Sequence, residues 1–386
     1  MSRIKLAKYW RELTLLGIPI LLGAYILASG KAQATVALVT TTPHADTQSA
    51  IDLNATISTP AAEAPLPILT STLTNTPIHH QEATTTPSVT PTPEAASAIS
   101  PTPTAFPTLG LIVPLATPFG GGTGVIAFAS LRAGNDEIFR MDLVGMEITQ
   151  LTFGDVDNTH PAWSSDGEWI AFESWVEGSP DIHIMAENGG YRRRLTTGLA
   201  VDQFPDWSPD DEWILFDSNR TGRFQLYLIR PDGTDLTRLT RNDFNDSVGR
   251  WSQDGEKITF ESNQQTDAYQ LYVMNSDGSD PLRLTHTEAR NVRSDWSPDN
   301  LRIVFVSDRD GQSEIYVMNA DGSGLRRLTY NIGNVNSPSW SPDGTLILFN
   351  SDLLGNYDLY VMRADGSEIW QLTFDPADDY SGVWQP

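Results

Sequence analysis

The chain has 386 residues, a formal net charge of −24 at pH 7 and no cysteine. The absence of cysteine excludes disulfides, thiolate catalysis and cysteine-based zinc sites. The negative charge argues against a phosphate backbone as ligand, so no nucleic-acid partner is expected. It favours solubility and, where charge selects a partner, a cationic or basic one.

The first 34 residues have the pattern of an export leader. Four cations, the last of them Arg11, precede an uncharged run at 13–29, and residues 32–34 read Ala-Gln-Ala. This pattern predicts a signal peptide cut after Ala34. The same run is also near the lower length limit of a transmembrane anchor. Both interpretations place the rest of the chain outside the cytoplasm, because the positive charges stay inside. Both also restrict membrane contact to this segment.

Residues 35–122 are predicted to be a disordered, Thr/Pro-rich linker. Residues 35–120 hold 13 of the 25 prolines, five acidic residues and neither Lys nor Arg. Such a composition buries too little apolar surface to offset chain entropy. Proline-rich chain is extended and semi-rigid, so we expect a stalk or a plain spacer that carries no chemistry.

Residues 123–386 carry one unit repeated at steps of 44 or 45 residues. Each repeat is marked by a tryptophan, and eleven residues before it stands the threonine of a Leu-Thr pair. These six repeat tryptophans are Trp163, Trp207, Trp251, Trp296, Trp340 and Trp384. A fixed period of this length indicates one supersecondary unit used many times.

Each unit predicts four short antiparallel strands joined by two tight turns and longer loops. Asp-Gly in the turns after the first and third strands suggests the positive φ angles of a type I′ hairpin. The middle strands are apolar on both faces, which fits a blade packed between blades. The first unit, from Val125, lacks its first strand, and a surplus strand ends at Trp384. Pairing the two leaves no free edge. The sequence therefore predicts an all-β, six-bladed β-propeller closed by a C-terminal strand.

The repeat also resembles a known family. Asn158–Gly167 (NTHPAWSSDG) and Ser313–Thr329 (SEIYVMNADGSGLRRLT) are similar to the WD40-like PD40 repeat of TolB-type β-propellers, and the resemblance spans 125–386. It implies a propeller of the periplasmic kind that works within an envelope complex. A Thr/Pro-rich segment stands where TolB has a small α/β domain, which weakens the expectation of the same role. Related propellers precede serine peptidases, but no G-x-S-x-G motif is present.

Polar residues about five positions before each repeat tryptophan are the candidate binding residues. They enter the first strand from the longer loops, which lie nearest the channel and carry function more often than tight turns. They are Asn158, Asp202, Asp246, Asn291, Asn336 (beside Val335) and Asp379. Their oxygens can hold basic groups of a partner or, weakly, a cation at the channel mouth. Alternatively, they accept backbone N–H bonds in the turn. Trp175 and Phe244, in loops of the same rim, are candidate anchors.

The function predicted is a non-catalytic binding scaffold that holds a protein or peptide partner on the acidic loop rim. No catalytic residue, cofactor or metal site is predicted, because the histidines occupy unrelated repeat positions. Two alternatives stay open. One is a polysaccharide- or peptide-processing enzyme with its site at the channel mouth, and the other is a purely structural cell-surface domain.

Overall fold

The computed structural model describes residues 121–386, so the predicted leader and all but the last two residues of the predicted linker lie outside the described residues. Within the described part, no helix is long and apolar enough to cross a membrane. Its regular structure is 24 strands. They are β1 Val125–Ser130, β2 Glu137–Asp142, β3 Glu147–Gln150, β4 Asn158–Trp163, β5 Trp169–Val176, β6 Ser179–Ala186, β7 Arg193–Arg194, β8 Asp202–Trp207, β9 Ile214–Ser218, β10 Gln225–Ile229, β11 Thr237–Arg238, β12 Asp246–Trp251, β13 Lys257–Ser262, β14 Gln270–Asn275, β15 Leu282–Arg283, β16 Asn291–Trp296, β17 Arg302–Ser307, β18 Glu314–Asn319, β19 Arg326–Arg327, β20 Val335–Trp340, β21 Leu346–Ser351, β22 Asp358–Arg363, β23 Trp370–Gln371 and β24 Asp379–Trp384.

These strands form six four-stranded antiparallel sheets, the blades of a propeller. Blade 1 has the strand order β24-β1-β2-β3, and blades 2 to 6 are β4–β7, β8–β11, β12–β15, β16–β19 and β20–β23. The first strands of neighbouring blades contact each other all the way round, including β24 with β4. These six strands are called the inner strands below, and they surround the axis. The predicted six-bladed architecture is confirmed.

Ring closure by the last strand is also confirmed. β24 pairs antiparallel with β1, with Trp384 opposite Ile126 and Asp379 opposite Ser130. Trp384 is buried with the cores of β1 and of the neighbouring blade 6. Because the first and last strands share one sheet, no blade is left with an unpaired inner edge.

The repeat tryptophans belong to the cores between blades. Trp207 of blade 3, for example, packs with Ile214 and Phe216 of its own blade and with Ile182 and Ile184 of blade 2. Burying a large apolar side chain contributes roughly 1.5–3 kcal/mol. One tryptophan per blade therefore joins each blade to the preceding one, which explains the period.

The Leu-Thr pair has a structural reason as well. The leucine is buried, and the threonine hydroxyl bridges the third and fourth strands. In blade 2, Thr196 Oγ1 accepts from Ile182 N at 3.0 Å and donates to the buried Asp181 at 3.1 Å. Thr329 makes the same two contacts with Ile315 N and Glu314. A buried polar group that must be satisfied thus recurs in each blade.

The tight turns differ from the type I′ turns expected from Asp-Gly. Gly167 has φ +70°, but Asp166 before it does not have positive φ, and type I′ needs both. Asp166 instead caps the turn with its carboxylate, which accepts from Ser164 Oγ at 2.6 Å and from Glu168 N at 2.9 Å. One left-handed residue is enough, and Asp211 adopts it with φ 58° where glycine is missing.

Candidate functional site

Two faces of the propeller differ in their connections. The loop face comprises the connections 131–136, 151–157, 177–178, 195–201, 219–224, 239–245, 263–269, 284–290, 308–313, 328–334, 352–357 and 372–378. The turn face comprises 143–146, 164–168, 187–192, 208–213, 230–236, 252–256, 276–281, 297–301, 320–325, 341–345 and 364–369. Antiparallel strands alternate in direction, so these two sets lie at opposite ends of the channel.

The predicted rim residues sit at the loop-face ends of the inner strands, but most are not presented to solvent. Asn336 is half-buried, and Val335 takes the equivalent position in blade 6. The other five are at most 1% exposed: Asn158, Asp202, Asp246, Asn291 and Asp379. A partner can touch their atoms only if the loops open.

Arginines from the neighbouring loops bind three of these side chains. Arg132 Nη2 lies 2.7 and 2.6 Å from the two carboxylate oxygens of Asp379, and its Nε donates to Ser130 Oγ at 2.9 Å. The guanidinium also stacks over Phe128 and Phe139, with Cζ 5.4 and 5.0 Å from the ring centroids. This one cation joins three strands of blade 1.

The same arrangement recurs in blades 3 and 5. Arg220 Nη2 binds both oxygens of Asp202 at 2.9 and 2.8 Å. Arg309 Nη2 donates to Asn291 Oδ1 at 2.5 Å. The sequence signal is Ser-x-Arg at the end of the second strand, and sequence reasoning missed its link to the residue five before the tryptophan.

Blades 2 and 4 satisfy their residues without arginine. Asp246 accepts from Ser262 Oγ and from Asn242 Nδ2, both at 2.6 Å, and burial raises the pKa of its carboxyl despite these bonds. Asn158 Nδ2 donates to Glu137 Oε2 and to Val156 O, both at 2.9 Å. These contacts hold loops and strand ends, but through side-chain partners; among the ring residues only Asn336 accepts a backbone N–H bond, from Ser337 at 2.9 Å. A binding role for the ring itself stays a prediction.

Support for a cation at the channel mouth is lacking. Among residues 121–386, no group of three or more His, Asp or Glu side chains is positioned to hold a metal ion.

The loop face carries most of the exposed aromatic surface. Of the six exposed aromatic side chains in the described residues, five lie there: Phe153, Trp175 (at the end of β5), Phe244, Tyr330 and Phe374. Tyr191, on the turn face, is the sixth. Trp175 and Phe244 are thus exposed as predicted, at 46% and 38%.

Three aromatic residues that sequence reasoning missed are more exposed. Phe374, Phe153 and Tyr330 are 70, 66 and 58% exposed, and each directly follows a Leu-Thr pair. They belong to blades 6, 1 and 5, which are consecutive around the ring. The other three blades have Thr, Arg and His at this position. Carboxylates accompany the aromatic side: Asp155 is exposed, and Asp157, Asp375 and Asp378 are half-exposed.

The channel is shaped by a bulge that recurs in every inner strand. The register with the second strand shifts three residues before each repeat tryptophan. The residues there are His160, Phe204, Val248, Arg293, Ser337 and Ser381, and each has φ between 48° and 56°. Left-handed backbone is costly for non-glycine residues. Because all six blades have it, the bulge belongs to the fold, whereas the side chain at this position varies.

Buried carboxylates of the second strands hold three of these bulges. Phe204 N donates to Glu173 Oε1 at 2.7 Å, and Arg293 N donates to Glu261 Oε1 at 2.7 Å. Val248 N donates to Asp217 Oδ1 at 3.0 Å. The three carboxyls differ in environment.

The three pKa values respond to burial and to nearby cations. Burial would raise the pKa of Glu173, but His160, 3.0 Å away, and further hydrogen bonds outweigh it and lower that pKa. Burial raises the pKa of Asp217 well above its usual value. Burial also raises that of Glu261, although Arg293 opposes it. In this half of the channel, His160 thus compensates Glu173, whereas burial prevails at Asp217 and Glu261.

An axial cavity of about 340 Å³ lies at the turn-face end of the channel and is lined by all six inner strands. One residue before the tryptophan stand Asp206, Arg250 and Asp295 of blades 3, 4 and 5, which all line it. Asp206 Oδ2 accepts from Trp251 N at 2.8 Å, and Asp295 Oδ2 accepts from Trp340 N at 2.7 Å. Burial raises the pKa of both carboxyls to about 6, although Arg250 opposes the rise.

Together, a closed ring of six blades and a charged axial cavity lined by all six inner strands define a six-bladed β-propeller. A family model described as the TolB beta propeller domain matches the chain at 175–268, 201–307, 249–331 and 291–386. These matches cover more than half of the chain, so the chain belongs to the TolB beta propeller (PD40) family. The resemblance seen in the sequence is confirmed.

Solved structures agree on the fold. TolB from Acinetobacter baumannii has a TM-score of 0.61 and 22% identity, over 68% of this chain and 66% of that one. A putative TolB from Agrobacterium tumefaciens has a TM-score of 0.55 and 25% identity, over 67% and 90%. Hydrazine synthase from Kuenenia stuttgartiensis has a TM-score of 0.56 and 16% identity, over 67% and 46%. No match is found among the curated proteins. Proteins with different names thus share this fold, so the function of this chain has to be argued from its site.

Proposed function

We propose that this protein is an exported, non-catalytic scaffold whose propeller holds a protein or peptide partner on the loop face. The observation that carries the proposal is the concentration of exposed aromatic side chains there, led by Phe374, Phe153 and Tyr330. Exposed aromatic residues surrounded by polar groups are typical of interaction sites. Membership of the TolB beta propeller family supports the same reading.

The carboxylates on the loop face favour a partner with basic groups. The aromatic side of the face carries Asp155, Asp157, Asp375 and Asp378, whereas nearby arginines such as Arg132 are already paired. Carboxylates around an apolar anchor favour Lys and Arg on the partner and speed association at low salt. We propose that residues 1–34 direct export and that residues 35–122 connect the leader to the propeller.

A capture experiment with matched variants tests the proposal. The full-length protein, a Tyr330→Ala/Phe374→Ala variant and a Tyr191→Ala control are used to capture proteins from envelope extracts. All three substitutions remove exposed side chains, so the melting temperatures should agree. The expected result is a protein captured by the wild type and the control but lost by the loop-face variant. Equal capture by all three would reject the loop face as the binding site.

A further inference from the structure

We propose that the axial cavity binds a small zwitterion, a compact molecule with one carboxylate and one primary ammonium group, such as an amino acid or a dipeptide. This site lies at the turn-face end of the channel, away from the aromatic loop face. It is independent of the partner proposed above, and a small molecule can bind whether or not that partner is present.

Arg293 supplies the carboxylate-binding end. Arg293 is one of the residues that line the cavity, and its guanidinium lies over the ring of Phe204, with Cζ 4.2 Å from the centroid. Among the described residues it makes no hydrogen bond or ion pair, and Glu261 binds only its backbone N–H. Planar guanidinium donors pair with a carboxylate in bidentate fashion. The Glu261 carboxylate opposes the lowering of the Arg293 pKa by burial, but no side chain of the described residues accepts the guanidinium N–H groups. These donors are therefore open to a ligand carboxylate.

Asp206 and Asp295 supply the ammonium-binding end. Each uses Oδ2 for a backbone N–H of the next blade. The remaining oxygen of Asp206 has only Arg250, at 3.8 Å, whereas the Asp295 carboxyl also interacts with the Ser339 side chain. Their raised pKa values mean that Arg250 does not offset the burial of two carboxylates. An ammonium group brings one positive charge and three donors to such oxygens. No three-ligand metal group exists among the described residues, so an ammonium fits these carboxylates better than a metal ion.

The cavity walls and the repeat pattern support a small ligand. About 340 Å³ is in the lower range of small-molecule sites. All six repeat tryptophans line it, and each indole Nε1–H is buried without a partner in the described residues. Because these tryptophans recur in every blade, we assign them to the packing between blades and not to the ligand. The charged residues of the channel are confined to blades 2 to 5, whereas blades 6 and 1 present Ser337 and Ser381. The side of the cavity formed by blades 2 to 5 thus carries both the cations and the carboxylates that a zwitterion needs.

The test begins with thermal shift of the full-length protein at pH 7.5, using the twenty L-amino acids and a set of dipeptides at 10 mM. The most stabilising compound is then titrated by calorimetry beside its N-acetyl and carboxamide analogues. The expected result is saturable binding of the zwitterion and at least ten-fold weaker binding of both analogues, because each lacks one charged end.

Variants assign the two ends. Arg293→Gln and Asp295→Asn should each weaken the zwitterion at least about ten-fold, because a buried charge loses its partner. Arg290→Gln, on the loop face, should bind as the wild type does. Asp295→Asn keeps an oxygen for Trp340 N, so it should fold; Arg293→Lys serves as a second test of the carboxylate end and should also bind more weakly. Absence of binding by every zwitterion, equal binding of the N-acetyl analogue, or unchanged affinity in Arg293→Gln would overturn the proposal.

Discussion

Replacing Trp384 by alanine should destabilise the propeller as much as replacing a repeat tryptophan in the middle of the chain. Trp384 is 6% exposed and packs in the core that joins blades 1 and 6, and Trp296 is 3% exposed in the core between blades 4 and 5. Truncating a buried tryptophan costs about 3–5 kcal/mol. For a domain of this size, 1 kcal/mol shifts the melting temperature by about 2–4 °C. Each variant should therefore melt roughly 10 °C below the wild type.

The assay is thermal unfolding of the full-length protein followed by circular dichroism. Trp175→Ala is the matched control, because it removes an indole that is 46% exposed and should change stability by less than about 0.5 kcal/mol. Deleting residues 379–386 should lower the melting temperature further, since it removes β24 and leaves the inner edge of β1 unpaired. If Trp384→Ala melts like the control while Trp296→Ala loses roughly 10 °C, closure of the ring by β24 is wrong.

Three further outcomes follow from the buried charges and the leader. Asp379→Asn should lower the melting temperature by several degrees, because it leaves the Arg132 guanidinium without its ion-pair partner. Asp246→Asn breaks no ion pair, since Asp246 accepts from neutral side chains, and should change the melting temperature little. Equal losses in the two variants would contradict the separate roles of the two sites. The pKa of Asp206 and Asp295 is about 6 in the folded state and 3.8 in an ordinary aspartate, so between these pH values the folded state binds more protons than the unfolded state. The free energy of unfolding should therefore fall as pH rises through about 4 to 6. The double Asn variant should flatten that slope in urea unfolding, and an unchanged slope would refute the assignment to these two carboxyls. Mass spectrometry of the exported protein should show either a mature N-terminus at Thr35 or an intact leader in the membrane fraction, and a folded cytosolic pool would contradict both interpretations.

The blades could be predicted from the sequence because their signals are repeated. Each tryptophan, Leu-Thr pair and Asp-Gly turn appears several times, so the period and the surplus strand at Trp384 were enough to give six blades and their closure. The type of turn could not be predicted, because the preference of Asp-Gly for type I′ turns takes no account of the Asp166 side chain. In the structure that carboxylate accepts hydrogen bonds from Ser164 and Glu168 and stabilises a different turn.

The site was harder to predict because it depends on residues that the repeats do not share. The sequence indicates that Asp202 and Asp379 lie near a rim, but not that Arg220 and Arg132 turn back to bind them. The bulge at Arg293 shifts the register of a six-residue strand, so the strand does not alternate regularly between apolar and polar residues. The sequence pattern therefore does not show which of its side chains face the channel. Exposure of Phe374 is likewise a property of the assembled face, since its neighbours Leu372 and Thr373 are buried.

Hydrogen–deuterium exchange of the full-length protein, with and without the captured partner, tests the central claim most directly. The account predicts slower exchange in the loop-face segments 151–157, 328–334 and 372–378, which carry the most exposed aromatic residues, and unchanged exchange in the turn-face segments 187–192 and 297–301. Protection confined to the turn face, or absent from these loops in a saturated complex, would contradict the assignment of the loop face as the binding surface.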